Sequence, residues 1–237
     1  MALLDGNLSR FRVVDIGGGV FEHVDQDDTP LANGVNTGSP SVISGDAGEN
    51  FLSYNGASQL SKLPMAAIDA SSVDWAFAFR FKTAVQPSSQ QHLGGMANSA
   101  DSDPWVGVRG TGANSLEVSI RDGSANFFAA ATTEVHADLF DDSERIVVVY
   151  HVAATNTLSI HEVTLGLSGS GSTAALGSTV VDTFGLGAWG RSSPFYYADV
   201  DVSWAGQWSR ALVAQDLTDL SAEWPFVTAT RSITDID

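Results

Sequence analysis

A chain of 237 residues with a formal charge of −17 is near the upper edge of single-domain size. It can bury roughly 70–75% of its unfolded surface and needs neither disulfide nor metal to be stable. It has no cysteine, which excludes disulfide scaffolds, thiolate zinc sites and cysteine nucleophiles together, and its 28 acidic residues against 11 Lys and Arg argue against nucleic acid as a partner.

The opening "MALLDGNLSRFRV" places Asp5 where a secretion signal needs basic residues, and its apolar run is too short for one. No run of about 18 apolar residues occurs, so no membrane-spanning helix is expected. Synthesis in a cytoplasm without a cleaved leader is the expectation. An N-terminal strand is followed by residues 17–50, which read as loop with one short strand. "FLSYNGASQLSKLP" then reads as two short strands around an Asn55-Gly56 turn.

"WAFAFRFK" is the clearest strand, with Trp75, Phe77, Phe79 and Phe81 on one face and Ala76, Ala78, Arg80 and Lys82 on the other. "NSLEVSIRDGSANFF" reads as a hairpin with Leu116, Val118 and Ile120 facing inward, and Asp122-Gly123 as its positive-φ turn. "RIVVVYHVAATNTLSIHEV" reads as a second hairpin turning at 154–157, apolar on nearly both faces of its first strand as a central strand would be. Its pairing would set His151 and His161 near each other, most simply as two polar residues on a sheet face. Residues 166–178, "GLSGSGSTAALGS", read as a flexible loop.

In "YYADVDVSWAGQWSR" the alternation sets Val200, Val202, Trp204 and Trp208 on one face, with Asp199, Asp201, Ser203 and Gln207 on the other. Gly206 falls on the inner face, where a bulge or close packing is expected. After Arg210 the period becomes helical. Val213, Leu217, Leu220 and Trp224 form one stripe of a short helix expected to cap the sheet edge. The fold class predicted is all-β, a two-sheet antiparallel jelly-roll sandwich with a short C-terminal helix. It forms one domain over residues 1–224, followed by a tail, 225–237.

The order of these elements resembles the laminin-G-like jelly roll of the concanavalin-A-like lectin and glucanase superfamily. "GENFLSYNGASQLSKLP" (48–64) is similar to that family's "aLsFdGs.syv.lp" stretch, and "VDWAFAFRFKT" (73–83) to its "fTisfWvk" strand. "ERIVVVYHVAATNTLSIHEV" (144–163) resembles the next hairpin, and "ADVDVSWAGQWSRALVAQDLTDL" (198–220) the closing "G.iDevriynRaLsaaEi..L". In that match Asp201 stands at the family's Asp, Arg210-Ala211-Leu212 at its "RaL", and Asp216 at its helix Glu. The resemblance implies a fold and leaves activity open.

Glucanases of the superfamily carry E-x-D-x-x-E on one strand, which aligns nucleophile and acid on one face. This chain has no such string. Glu117, Glu134, Glu144 and Glu162 each stand apart from a partner at that spacing, so no enzyme activity is expected. The five histidines, His23, His92, His136, His151 and His161, lack metal-ligand spacing. No cofactor is predicted, and no catalytic residue.

Calcium is the one ion left open, because "DQDD" (Asp25, Asp27, Asp28), "SADSDPW" (Asp101, Asp103) and "DLFDDSE" (Asp138, Asp141, Asp142) offer hard oxygens at close spacing. Acidic loops are more often simply solvated. Asp101, Asp103 and Trp105 are the candidate ligand-binding residues. Trp105 is either a stacking platform for a sugar or, as more often for a Trp opening a strand, core.

Stand-alone members of this fold without cysteines, leader or second domain resemble virion proteins of bacterial viruses. The first expectation is therefore a non-enzymatic virion component, a capsid decoration or a tail or fibre protein, made in the host cytoplasm. Its partners would be other virion proteins and further copies of itself, with the N-terminal strand and the tail docked on neighbouring subunits because free termini fray. The alternative is a carbohydrate-binding, lectin-type module acting on cell-surface glycans. A glycoside hydrolase is the third reading.

Overall fold

The computed structural model describes residues 7–17, 20–25, 34–45, 49–87, 91–101, 103–191 and 196–222. In chain order the first eight strands are β1 (Asn7–Gly17), β2 (Val20–Asp25), β3 (Val35–Thr37), β4 (Ser41–Ser44), β5 (Asn50–Asn55), β6 (Leu60–Asp69), β7 (Trp75–Lys82) and β8 (His92–Ala97). They are followed by β9 (Trp105–Gly110), β10 (Leu116–Arg121), β11 (Phe127–Thr132), β12 (Arg145–Val152), β13 (Thr157–Glu162), β14 (Leu167–Ser172), β15 (Val180–Leu186) and β16 (Asp199–Trp208), then helix α1 (Ala214–Ala222).

These strands form two antiparallel sheets in an all-β sandwich. One has seven strands in the order β11-β10-β9-β8-β15-β6-β3. The other runs β14-β13-β12-β7-β16-β1-β2, with β5 paired to the first half of β16 and β4 beyond it. The non-sequential order of both sheets is that of a jelly roll.

The core lies between the sheets and follows from period-two alternation. Phe77 and Phe79 of β7 meet Phe184 of β15 edge-on, with ring centroids 5.1 and 6.3 Å apart. Val147 and Val149 from β12, and Val106, Val108 and Val118 from β9 and β10, complete the layer. Each such side chain contributes about 1.5–3 kcal/mol by leaving water.

Several expectations need correction. Residues 17–50 hold three described strands, not one. β2, β3 and β4 are pulled into the ladders by β1, β6 and β5, and short strands on such partners need little alternation of their own. Half of the presumed flexible loop is β14, paired with β13 from Leu167 to Ser172. Its Gly169 lies against the Thr132 carbonyl of the other sheet, where any Cβ would collide. The glycine there permits close approach and does not supply flexibility.

The turn after β10 takes its positive φ at Ala125, not at Gly123. The reason is Asp122, whose buried carboxylate accepts the N–H groups of Ser124 and Asn126 and holds a wider loop. The β12–β13 turn is a 3₁₀ turn, Ala153–Thr155, closed by Asn156 at φ 48°. His151 and His161 are not neighbours. Their partners across the hairpin are Leu158 and Val148, on opposite faces. His151 is buried between the Val73 carbonyl and Thr173, while His161 stacks on Tyr150.

β16 changes phase at an irregularity between Val202 and Trp204. Val200 and Val202 join the main core, but Trp204 and Trp208 turn to the opposite face of the sheet. There they meet Ala76, Ala78, Val148 and α1, which therefore covers a sheet face and not an edge. Leu220 is buried on that face with Leu217 packed beside it, and Leu212 takes the place expected of Val213, which is exposed. Trp224 is outside the described residues.

Candidate functional site

Strand register builds a site on the outer face of the seven-stranded sheet. Side chains at 105, 107 and 109 of β9 face away from the core, as do 117, 119 and 121 of β10. Cross-strand pairing arranges them in three rows: His92, Arg109 and Glu117; then Gly185, Gly95, Gly107 and Ser119; then Thr183, Ala97, Trp105 and Arg121. The middle row is nearly bare of side chains, so it forms a trough.

The segment after β15 folds back into that trough. Gly187 turns the chain with φ 77°, a left-handed value that suits glycine, and its N–H donates to the Leu93 carbonyl at 2.9 Å. The backbone of Ala188 and Gly190 then rests on Gly185, where a Cβ would collide with both. This lays Trp189 over the trough. Its ring stacks on Trp105, with centroids 4.2 Å apart and planes at 28°, and approaches His92 at 4.2 Å. Tyr196 meets Trp189 edge-on at 4.9 Å, and the main-chain N–H of His92 donates to the Tyr196 carbonyl.

Three guanidinium groups surround these rings. Arg191 lies over Trp189, 4.8 Å from the ring centroid, as a cation–π contact. Arg109 donates from Nε and Nη2 to one oxygen of Glu117, its direct cross-strand partner, at 2.9 and 2.6 Å. Arg121 Nε is 2.9 Å from Asp103 Oδ1. That contact is one of charge, because neither atom forms a directed hydrogen bond. The cavity enclosed by His92, Trp105, Arg109, Arg121, Trp189, Arg191 and Tyr196 has a volume of about 220 Å³. It is smaller than the roughly 300–1,000 Å³ of drug-sized sites and suits a group no larger than one sugar ring.

The polar balance inside is incomplete. Trp189 Nε1, His92 Nδ1 and Ser119 Oγ are buried without a hydrogen-bond partner. The two ring nitrogens converge, both within 3.0 Å of the point where a Gly107 Cβ would stand. Such orphaned buried groups are costly, and a polar group reaching either nitrogen would relieve that cost. Burial holds the His92 pKa well below its ordinary value, and the charges of Arg109 and Arg191 lower it further. The imidazole is therefore neutral at pH 7 and can accept as well as donate.

Of the residues singled out from the sequence, Trp105 and Asp103 lie here. Trp105 is buried and its ring is covered by Trp189, so it lines the cavity without offering an open face. Asp103 touches the site through Arg121. Asp101, exposed, does not line the cavity. Nothing in the local sequence marks Arg109, Arg121, Trp189, Arg191 or Tyr196, and His92 lacks metal-ligand spacing. The available signal was glycine inside strands, in "LGGMA", "WVGVRG" and "TFGLGAWG", which marks close approach.

The isolated glutamates serve structure. Glu117 pairs with Arg109, Glu144 with Arg80, and Glu134 accepts the Ser168 N–H. Buried Glu162 accepts the N–H groups of Thr164 and Leu165. Of the acidic loops, Asp141 pairs with Arg145 and accepts the Ser143 N–H, while Asp27 and Asp28 are outside the described residues. Among the described residues no three His, Asp or Glu side chains gather where a metal ion could be held.

No known family model matches the chain, and no curated protein sequence does. Solved structures do resemble it. The botulinum neurotoxin serotype D binding domain superposes with a TM-score of 0.62 at 12% identity, covering 92% of this chain and 51% of that one. The serotype C1 binding domain gives 0.61 at 10% identity, covering 92% and 52%. The K499G mutant of NanB sialidase from Streptococcus pneumoniae gives 0.51 at 17% identity, covering 73% and 27%. This chain spans about half the length of those neurotoxin domains. At these identities the likeness is one of fold, and it agrees with a two-sheet β-sandwich.

Proposed function

We propose that this chain is a carbohydrate-binding module, and that the cavity on the outer face of the seven-stranded sheet holds one sugar ring. The observation that carries the reading is the convergence of Trp189 Nε1 and His92 Nδ1, buried and unpartnered, above Gly107. A sugar hydroxyl fits that pair. It accepts from the indole N–H and either donates to or accepts from the neutral imidazole. Tyr196, 38% exposed at the rim, presents an aromatic surface to the apolar side of a pyranose, the task first considered for Trp105.

The fold supports this reading, since a botulinum neurotoxin DC binding domain in complex with SialylT has a similar one (TM-score 0.59, 10% identity, 92% of this chain and 51% of that one). Binding without turnover is the mode proposed, because each carboxylate beside the cavity faces a guanidinium, Glu117 hydrogen-bonded by Arg109 and Asp103 in charge contact with Arg121. A virion role with self-assembly draws no support from the fold or the likenesses: the N-terminal strand expected to dock on a neighbour pairs with β16 and β2 of its own chain, and the tail, 225–237, is outside the described residues.

A glycan array followed by calorimetry on the best hit tests the proposal. Tyr196→Ala should weaken binding about tenfold, and Trp189→Phe, which keeps an aromatic ring but removes Nε1, by a similar factor. An array without hits, or a hit indifferent to both substitutions, sinks it.

A further inference from the structure

Resting on the carbohydrate reading, we infer that the site selects an acidic sugar, whose carboxylate or sulfate ester is received between Arg121 and Arg191 where Asp103 now stands as an internal counter-ion.

The charge distribution is the first reason. The chain has 11 Lys and Arg in all and a net charge of −17, yet three of its nine arginines line one cavity of about 220 Å³. A neutral sugar gives no use for that concentration. Among the described residues, Glu117 is set against Arg109 and Asp103 against Arg121, while Arg191 lies over Trp189. Fixed positive charge set in an acidic surface draws an anion to that one point and nowhere nearby.

The second reason is the unequal commitment of the three arginines. Arg109 gives two donors to Glu117 and is thereby fixed in place. Arg191 lies over the Trp189 ring, and its main-chain carbonyl accepts a hydrogen bond from Lys62 at 2.9 Å. Arg121 alone is loosely engaged. Its side chain is 36% exposed, and its 2.9 Å approach to Asp103 lacks hydrogen-bond direction at either atom. Guanidinium groups bind oxyanions best as a planar fork with two aligned N–H donors. An undirected contact leaves the fork of Arg121 able to take an incoming oxyanion, with Asp103 swinging aside. Burial lowers the Arg191 pKa, the charges of Asp103 and Tyr196 oppose that lowering, and the charge of Arg121 adds to it.

Third, Trp189 and His92, which carry the orphaned nitrogens, line the same cavity, so a ligand anchored by its oxyanion would lie beside them. Asp103 thus lowers affinity while keeping the empty site neutralised, and its removal tightens binding.

The test is titration calorimetry on the full chain with matched ligand pairs. One pair is a glucuronic-acid-terminated oligosaccharide and its carboxyl-reduced form. The other is a sulfated oligosaccharide and its desulfated form, and sodium sulfate is titrated alone. An acidic member bound at least tenfold tighter than its neutral partner supports the inference, and the preferred pair identifies the oxyanion. Arg121→Ala should remove that preference, Asp103→Asn should strengthen acidic binding several-fold, and added salt should weaken it. Because Arg121 is partly exposed, the variant should keep its unfolding temperature, and Arg191→Ala serves as the second variant. Equal affinity within both pairs overturns the acidic selectivity and leaves the carbohydrate reading standing. Sulfate binding with no saccharide bound overturns the carbohydrate reading, and no binding at all overturns both.

Discussion

Trp189 stacks on Trp105 with ring centroids 4.2 Å apart because Gly107 leaves room beneath the Trp189 indole edge. A methyl at 107 would come within 2.7 Å of Trp189 Nε1 and closer still to His92 Nδ1. Both are rings fixed by packing, so neither swings away easily. Gly107→Ala is expected to cost about 1–3 kcal/mol and to abolish ligand binding through displacement of Trp189. Thermal unfolding and tryptophan fluorescence together check this. Unchanged stability with an unshifted emission maximum would contradict the packing described.

Gly169 makes the equivalent contact between the two sheets, against the Thr132 carbonyl. Here the obstacle is backbone, which yields less than a side chain. Gly169→Val should destabilise the protein by about 2 kcal/mol or more, measured by chemical denaturation. A smaller cost than that of Gly166→Val, where a Cβ meets nothing but φ is 73°, would show that β14 is not pinned there.

Asp216 closes the first turn of α1. Its carboxylate takes both amino groups of Arg210, at 2.6 and 2.9 Å, and the Val213 N–H at 2.7 Å, one half of a capping box. Burial pushes its pKa up, but the Arg210 hydrogen bonds, the Val213 N–H and the Arg210 charge outweigh burial and hold it below the ordinary value. A carboxylate depressed in the folded state contributes stability in full above its unfolded pKa of about 3.9, and that stability is lost as pH falls through the folded value. Asp216→Asn should therefore destabilise by about 2 kcal/mol at pH 7, with the gap from wild type narrowing below about pH 4. Denaturation curves between pH 3 and 7 decide it, and a constant gap would refute it.

His151 is buried and uses both ring nitrogens, one against the Val73 carbonyl and one against Thr173 Oγ1, each at 2.9 Å. A carbonyl only accepts, so Nδ1 carries the hydrogen and Thr173 donates to Nε2 when the ring is neutral. His151→Phe fills similar space but strands both partners, and should cost about 2 kcal/mol. His161→Phe, outward and stacked on Tyr150 at 5.5 Å, should cost less than half as much. Comparable losses would refute the distinction between their faces.

Local pattern alone carried the reading where a strand's two faces differ in kind. Phe77, Phe79 and Phe81 of β7 and Leu116, Val118 and Ile120 of β10 face the core as alternation requires. It failed where partners supply the structure. β14 is Gly- and Ser-rich and becomes a strand because β13 offers a ladder and Thr132 demands an absent Cβ. Alternation through β16 was sound up to Val202, and one irregular residue then sent Trp204 and Trp208 to the other face. Phase errors of this kind follow from a period of two, in which a single slip reverses every later side chain.

The candidate site shows the same division more sharply. Composition and alternation settle that the chain is an all-β sandwich and that its surface is acidic, because burial of apolar faces and solvation of charge depend only on which residues recur at which spacing. Neither brings Arg109, Arg121 and Arg191 to one cavity. Those residues are separated by up to 82 positions, and their meeting depends on the register of β8, β9 and β10 and on the fold-back at Gly187. Register is a property of pairs of strands and convergence one of many pairs at once, so both belong to the tertiary structure.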